Sequence, residues 1–244
     1  MRLSGRSVFE LNGTAVWQNL SARAQQYFNA AAVGDPKAYE EGAIEISGEL
    51  ASLINPINRR YAGQSFRIMG GQMAGRLTLG ARRSAPPWRL DDRLLVVPIA
   101  KHETAQCTFV LASDGRFGSS WNRDFRPLFD SLDLMFEDVA VWGSLQGWHY
   151  VGYAREADPA TFAADVSGLI PDETASGALS GWWLGDGIAM SFRRFLTHDE
   201  TRPPYIELLA NSAQRARHVA DLLAGQLTST WLLDRGDTVP FLQG

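Results

Sequence analysis

With 244 residues, the chain is long enough to bury a sizeable core, either as one large domain or as two small ones. Hydrophobic residues make up 45% of the sequence and charged residues 20%, which excludes a disordered protein. The formal net charge of −4 argues against general binding to a nucleic-acid backbone, because such binding needs a basic surface, and it leaves a basic protein partner open.

The N-terminal part of the chain is predicted to be mainly helical after an initial hairpin. Two β-prone runs flank Asn12-Gly13, a dipeptide that is typical of hairpin turns. Residues 21–32 favour a helix with Ser21 as its N-cap. The segment 35–61 is predicted to be helical in pieces, because two glycines and Pro56 oppose one continuous helix.

From residue 65 the pattern changes to short β-prone runs, and two of them flank Ser113-Asp114-Gly115. An aspartate beside a glycine between two strands is compatible with a catalytic carboxylate, a metal ligand or the corner of a hairpin. Aspartate and glycine both tolerate the backbone conformations that tight turns require. The turn accounts for both residues, so we predict that Asp114 and Gly115 form a hairpin corner.

The next segment predicts an amphipathic helix, with Pro127 in its first turn and Gly143 as its C-terminal cap. Its apolar residues recur at helical spacing and are expected to face the core. Acidic residues spaced three and four apart share another face of this helix. They are Asp130, Asp133 and Glu137, with Asp138 close to them. This acidic face is either a solvated surface or a carboxylate surface that binds cationic groups of a partner.

The last third is predicted to hold a strand at 148–154, a linker at 155–162 followed by a short helix, and a hairpin that turns at Asp186-Gly187. A proline-flanked strand follows, and a helix extends from about Ser212 to Ala224. Strands cluster in the middle of the chain and again near its end, without regular alternation with helices. The predicted fold class is therefore α+β, with a central, mostly antiparallel sheet covered by helices and a second, smaller α+β module at the C-terminus. The predicted domains are residues 1–155 and residues 156–244, the second a hairpin-strand-helix module packed against the first.

Cys107, the single cysteine, is the main candidate for covalent chemistry. A cysteine nucleophile would need a distant histidine as its base. Cys107 flanks an apolar strand, where a free cysteine more often serves as a small core residue. A single cysteine excludes an internal disulfide and a multi-cysteine zinc site. No cofactor and no metal are expected, and a hydrolase that uses Cys107 stays an alternative.

The eight tryptophans raise a second question. Trp142 and Trp148 follow the acidic helix, and the adjacent Trp182 and Trp183 lie in the late hairpin. Adjacent residues of a strand face opposite sides, so these two need cover on both faces of their sheet. Packing between layers, an interface hot spot and a small-ligand site are the three interpretations.

The order of features from residue 65 to residue 142 resembles the SUKH superfamily. One strand contains Pro98-Ile99, the next leads through Asp114-Gly115-Arg116 into a strand that carries an aromatic residue, and a helix with Ser131-Leu132 and acidic residues follows. This superfamily comprises the Smi-and-Knr-type proteins, whose bacterial members are mostly immunity proteins of polymorphic toxin systems. The resemblance implies that the first predicted domain is SUKH-like, that the Asp-Gly-Arg element is a hairpin of the central sheet, and that the helix covers this sheet. It implies no catalytic residues, and it leaves the last 90 or so residues unexplained.

These observations lead to the expectation of a non-catalytic immunity protein that binds and neutralises a cognate bacterial toxin or effector protein by direct contact. The sequence shows neither the apolar segment of a signal peptide nor an apolar run of about 18 residues, so we expect a cytoplasmic protein that binds neither membrane nor nucleic acid. A hydrolase and a small-ligand-binding or scaffold protein remain as alternatives. The predicted partner-binding residues are Asp130, Asp133, Glu137, Asp138, Trp142 and Trp148.

Overall fold

The computed structural model describes residues 16–35, 47–68, 74–80, 86–103, 107–155, 158–166, 168–193 and 205–240. The hairpin predicted at Asn12-Gly13 lies outside these residues. Two antiparallel sheets and several helices make up the described part, which confirms the α+β class.

Two helices precede most of the first sheet. Helix α1 spans Ala22–Ala31, and the Ser21 hydroxyl caps it by accepting a hydrogen bond from the Ala24 N–H, as predicted. Helix α2 spans Ala51–Tyr61 and continues through Pro56, so the proline does not break this helix.

The first sheet has eight strands, and its neighbouring strands pair antiparallel in the order β1-β2-β3-β5-β6-β7-β8, with β4 on β5. They are β1 (Val33–Gly34), β2 (Gln64–Ile68), β3 (Gly75–Leu79), β4 (Trp88–Arg89), β5 (Leu95–His102), β6 (Thr108–Ala112), β7 (Phe117–Trp121) and β8 (Asp124–Phe129).

The Asp114-Gly115 corner joins β6 to β7, which confirms the predicted hairpin. Gly115 has φ +93°, a value that glycine adopts without steric cost. The Asp114 carboxylate accepts hydrogen bonds from the backbone N–H of Arg116 at 3.1 Å and from its Nε at 2.7 Å. The pKa of Asp114 is lowered, because these bonds outweigh the effect of its partial burial. Asp114 therefore closes a turn.

The acidic helix is α3, which spans Leu132–Ser144 and begins after the N-cap Ser131. Pro127 lies in β8, not in the first helical turn as predicted. Strand β8 ends the strand order of the sheet, where a residue without an N–H is tolerated. Gly143 lies in the last turn of α3, and the C-cap is Leu145, not Gly143 as predicted. A Cβ at position 143 would overlap the Tyr27 ring of α1, so the close approach of the two helices requires glycine here.

The second sheet has five strands in the order β10-β11-β12-β13-β9, and each neighbouring pair is antiparallel. Its elements in chain order are β9 (His149–Arg155), helix α4 (Pro159–Asp165), β10 (Ile170–Pro171), a 3-10 turn (Glu173–Ala175), β11 (Gly181–Gly185), β12 (Ile188–Arg193), β13 (Tyr205–Ala210), helix α5 (Ala213–Leu222) and helix α6 (Trp231–Arg235). The predicted hairpin at Asp186-Gly187 joins β11 to β12.

Strand β9 falls within the predicted first domain, residues 1–155, but its partner is a strand of the second sheet. Strand β9 pairs with β13 along its length, so it belongs to the second sheet. Part of the predicted linker is the helix α4, with Asp158 as its N-cap. The sequence of β9 predicts a strand but gives no sign of its partner, because strand pairing is a tertiary property.

Helix α3 lies between the two sheets and contributes to the core on both sides. Met135, Phe136 and Val139 pack in the cluster formed with α1, α2 and the first sheet. Val141 and Trp142 pack in a second cluster with Trp182, Ala189 and Leu209 of the second sheet. The opposite face of the second sheet packs against α4 and α5. One helix thus supplies apolar surface to both sheets.

No helix within the described ranges has both the length and the apolar character that crossing a membrane requires.

The contact between Gly143 and Tyr27 gives a test of how closely α1 and α3 approach. We expect Gly143→Ala to lower the free energy of unfolding by about 1–3 kcal/mol, because the added methyl forces the ring aside. This loss exceeds the gain of about 1 kcal/mol in helix propensity. Urea denaturation of the single variant and of Gly143→Ala in a Tyr27→Ala background measures the effect. An equal loss in both backgrounds would contradict the proposed overlap.

Candidate functional site

The acidic residues of α3 bind groups of this same chain. Asp133 and Glu137, four residues apart, point to the segment before α1. The Asn19 side-chain amide donates to Asp133 at 2.9 Å. The backbone N–H and the hydroxyl of Ser21 each donate to Glu137 at 2.6 Å. Glu137 thus holds the N-cap of α1 against α3.

Asp130 and Asp138 point the other way, towards the second sheet. The backbone N–H of Leu179 donates to Asp130 at 3.1 Å. The indole N–H of Trp182 donates to Asp138 at 2.8 Å, and Arg193 donates to the same carboxylate oxygen at 2.6 Å. Asp138 therefore fastens β11 and β12 to the helix.

This arrangement corrects the expectation of one exposed acidic face. Glu137 is 6% exposed, Asp138 2% and Trp142 0%, so these three residues offer almost no surface to another molecule. Helical spacing places carboxylates on a face but does not show what covers that face. Trp148 is half-buried against the apolar cluster of the second sheet, and Asp130 is half-buried as well. Asp133 is exposed, so contact with a partner stays a prediction at this position.

A buried polar cluster surrounds Asp138. The Arg193 guanidinium carbon lies 4.8 Å from the ring centroid of Trp142 and 5.4 Å from that of Trp182. Cation–π attraction of this kind is strongest where water is excluded. Trp182 therefore packs between the second sheet and α3. Its neighbour Trp183 packs on the opposite face of the sheet against Phe192.

Glu207 is the second carboxylate of this polar cluster. It lies on β13 opposite Ser191 of β12, on the sheet face that carries Trp182 and Arg193. Burial raises the pKa of Glu207 to about 7; Arg193 opposes this rise and Asp138 adds to it. Glu207 Oε2, Ser191 Oγ and Trp142 Nε1 are buried without a hydrogen-bond partner within the described part of the chain.

Neither Arg193 nor Glu207 was among the predicted site residues. The sequence holds one signal for Glu207, since it is a lone carboxylate inside the apolar run "YIELLA". Every residue of β13 is buried, and a charged residue in such a strand needs a partner. The sequence does not show which partner Glu207 has, because Asp138 and Arg193 come from separate elements.

An open groove of about 450 Å³ lies between α2, the Asp114-Gly115 corner and the start of α3. Its lining is mainly apolar, and its two charged residues are Arg60 on α2 and Asp133 on α3. Arg60 is exposed, as is Asp133. The lining of the groove on α2 and α3 includes Leu53, Ile57, Arg60, Leu132 and Asp133. We call this feature the α2–α3 groove.

Cys107 is 7% exposed, and burial raises the pKa of its thiol. The raised pKa reduces the fraction of thiolate that a nucleophile needs, and the low exposure limits access to the sulfur. Within the described ranges no three His, Cys, Asp or Glu side chains gather in a way that could hold a metal ion.

Comparison of the chain with protein-family models, with curated proteins and with solved structures found no match.

The role of Asp138 is tested by comparing two aspartates of the same helix. We expect Asp138→Asn to lower the free energy of unfolding by about 3–5 kcal/mol, because it removes the charged group to which the buried Arg193 donates its hydrogen bond. Asp133→Asn is the control, and we expect it to cost less than about 1 kcal/mol, since exposed polar contacts contribute little. Urea denaturation of both variants measures the difference. Equal losses in the two variants would show that the buried hydrogen bonds of Asp138 do not contribute more to stability than the exposed bond of Asp133.

The state of Cys107 is tested by thiol labelling of the native protein. We expect labelling with a chromogenic disulfide at pH 7 to be at least about 100-fold slower than in urea, because the thiol is buried and its pKa is raised. Rapid labelling of the native chain would contradict this placement and would favour the hydrolase alternative.

Proposed function

We propose that this chain is a non-catalytic, cytoplasmic immunity protein that neutralises a cognate bacterial toxin by direct contact. We place the contact at the α2–α3 groove. The observation that carries the proposal is the combination of an apolar floor with opposite charges at the rim, one of them on the exposed Asp133.

The groove has the composition of a protein-binding surface. Stable interfaces combine an apolar centre with a polar, charged rim. Leu53 and Ile57 on α2 are half-buried and pack on the core, so a partner side chain would complete their burial. Leu132 belongs to the core of the first sheet and anchors the opposite wall.

The charge of the groove indicates the chemistry of its occupant. A carboxylate offers about four acceptor positions, and the Asn19 bond to Asp133 uses one of them. The net charge of −4 favours the approach of a cationic partner. The matching segment of the toxin would present an aliphatic or aromatic side chain next to a lysine or arginine that pairs with Asp133.

Two features of the first sheet also support the proposal. The Asp114-Gly115-Arg116 element is a hairpin, and α3 covers the sheet that contains it. Both features were implied by the likeness to the SUKH superfamily. They support the proposed class of function, and the contact with a toxin is our inference.

The proposal is tested by co-expressing the chain with each candidate toxin domain that a gene beside its own encodes. We expect growth rescue and a complex of the two purified proteins with nanomolar affinity. Failure of rescue with every toxin domain encoded beside the gene would contradict the immunity function.

Two groove variants locate the contact. We expect Asp133→Lys to slow association at least about tenfold and to weaken its salt dependence, since rim charges act mainly on encounter. We expect Ile57→Asp to weaken affinity by about 100-fold, because it charges the apolar floor. Asp221→Lys on α5, also an exposed aspartate on a helix, is the control with unchanged binding. Wild-type affinity in both groove variants would place the contact elsewhere.

A further inference from the structure

The interface between α3 and the second sheet contains an unequal number of buried charges. Among the described residues, the guanidinium of this interface is Arg193, which pairs with Asp138 on α3 and shares a sheet face with Glu207 on β13, to which it is electrostatically coupled. Its hydrogen bond goes to Asp138 at 2.6 Å, while Glu207 Oε2 has no partner among the same residues. With both acids ionised, the described residues of this cluster would carry one excess negative charge.

We infer that Asp138, Arg193 and Glu207 form a pH-sensitive joint, in which ionisation of Glu207 loosens the second sheet from α3. This inference concerns the conformation of the chain and does not depend on the proposed toxin contact at the α2–α3 groove. Burying an unpaired charge costs far more than burying a neutral carboxyl group. The closed arrangement therefore favours the protonated form of Glu207, and the ionised form favours a hydrated, more open interface.

The groups that face Glu207 come from each element around it. Asp138 faces it from α3, Arg193 and Ser191 from β12, and Tyr205 from its own strand. On β9, Tyr153 is its register partner, Tyr150 is electrostatically coupled to it, and Arg155 lies opposite Tyr205. Asp237 approaches Tyr150 from the segment after α6. His149 pairs with Ala210 and so belongs to the other face of the sheet.

Tyr150, Tyr205 and Arg193 keep their charge state over the pH range in which Glu207 changes. Burial raises the pKa values of Tyr150 and Tyr205 above 10, so both phenols stay neutral. Burial lowers the pKa of Arg193, but the combined effect of Asp138 and the other acidic neighbours is larger and raises it, so the guanidinium stays charged. Glu207, with a pKa of about 7, is the group of this cluster whose ionisation accompanies a change from pH 5 to pH 7.

The direction of the effect follows from proton linkage. The closed form binds a proton at Glu207 up to about pH 7, whereas an open, hydrated form releases it near the ordinary value of 4.5. The closed form is thus most favoured at low pH, and it loses this advantage as the pH rises towards 7. One linked proton shifts the opening equilibrium by at most about tenfold per pH unit, and the shift levels off above pH 7.

The joint is tested by hydrogen exchange and mass spectrometry on the intact chain from pH 5 to pH 8, corrected for the intrinsic exchange rate. We expect protection of β11, β12 and β13 to fall by about 40-fold between pH 5 and pH 7 and then to level off. Strands β5 to β7 of the first sheet should keep their protection. Glu207→Gln, which cannot ionise, should abolish the pH dependence, while the exposed control Glu49→Gln should retain it.

Three results would overturn the inference: a flat profile for the natural chain, a sloping profile for Glu207→Gln, or an equal fall in the first sheet. If Glu207→Gln does not fold, carbon-13 NMR of the side-chain carboxyl of Glu207 in the natural chain decides the matter. A titration midpoint near 7 supports the joint, and a midpoint near 4.5 contradicts it.

Discussion

The buried carboxylate of Asp138 is the constraint on which the joining of the two sheets depends. A charge without water costs several kcal/mol unless an opposite charge and hydrogen bonds satisfy it. Asp138 meets this condition through Trp182 and Arg193, which lie on neighbouring strands of the second sheet. Since neither strand reaches Asp138 unless the sheet sits on α3, satisfying this one residue fixes the position of the sheet.

Helix α3 acts as a shared structural element because its acidic residues divide between its two sides. Asp133 and Glu137 hold the segment that leads into α1, whereas Asp130 and Asp138 hold the second sheet. Arg23 of α1 adds a direct link by donating to Asp172, which follows β10. The acidic pattern that suggested an external partner therefore serves mainly to connect parts of the same chain, and Asp133 alone of the four remains well exposed.

The groove and the joint occupy different parts of α3. Asp133 at the rim of the α2–α3 groove precedes Asp138 by five residues, about 8 Å along a helix axis. A partner in the groove would contact α2 and the start of α3, while the buried charges lie between the later turns and the second sheet. Both features belong to α3. Movement of the second sheet relative to α3 and binding of a partner in the α2–α3 groove would therefore both act on this helix.

The sequence by itself determined the local structure: the Ser21 cap of α1, the Asp114-Gly115 corner, the hairpin at Asp186-Gly187 and the α+β class all follow from short-range patterns. The sequence did not predict the features that depend on contacts between residues far apart in the chain. Strand β9 joined the second sheet, Pro127 lay in an edge strand, and Glu137 and Asp138 were buried, because strand partners and the cover of a helix face come from residues far along the chain. Only the tertiary structure brought Glu207 to Arg193, since burial and charge pairing depend on what surrounds a residue.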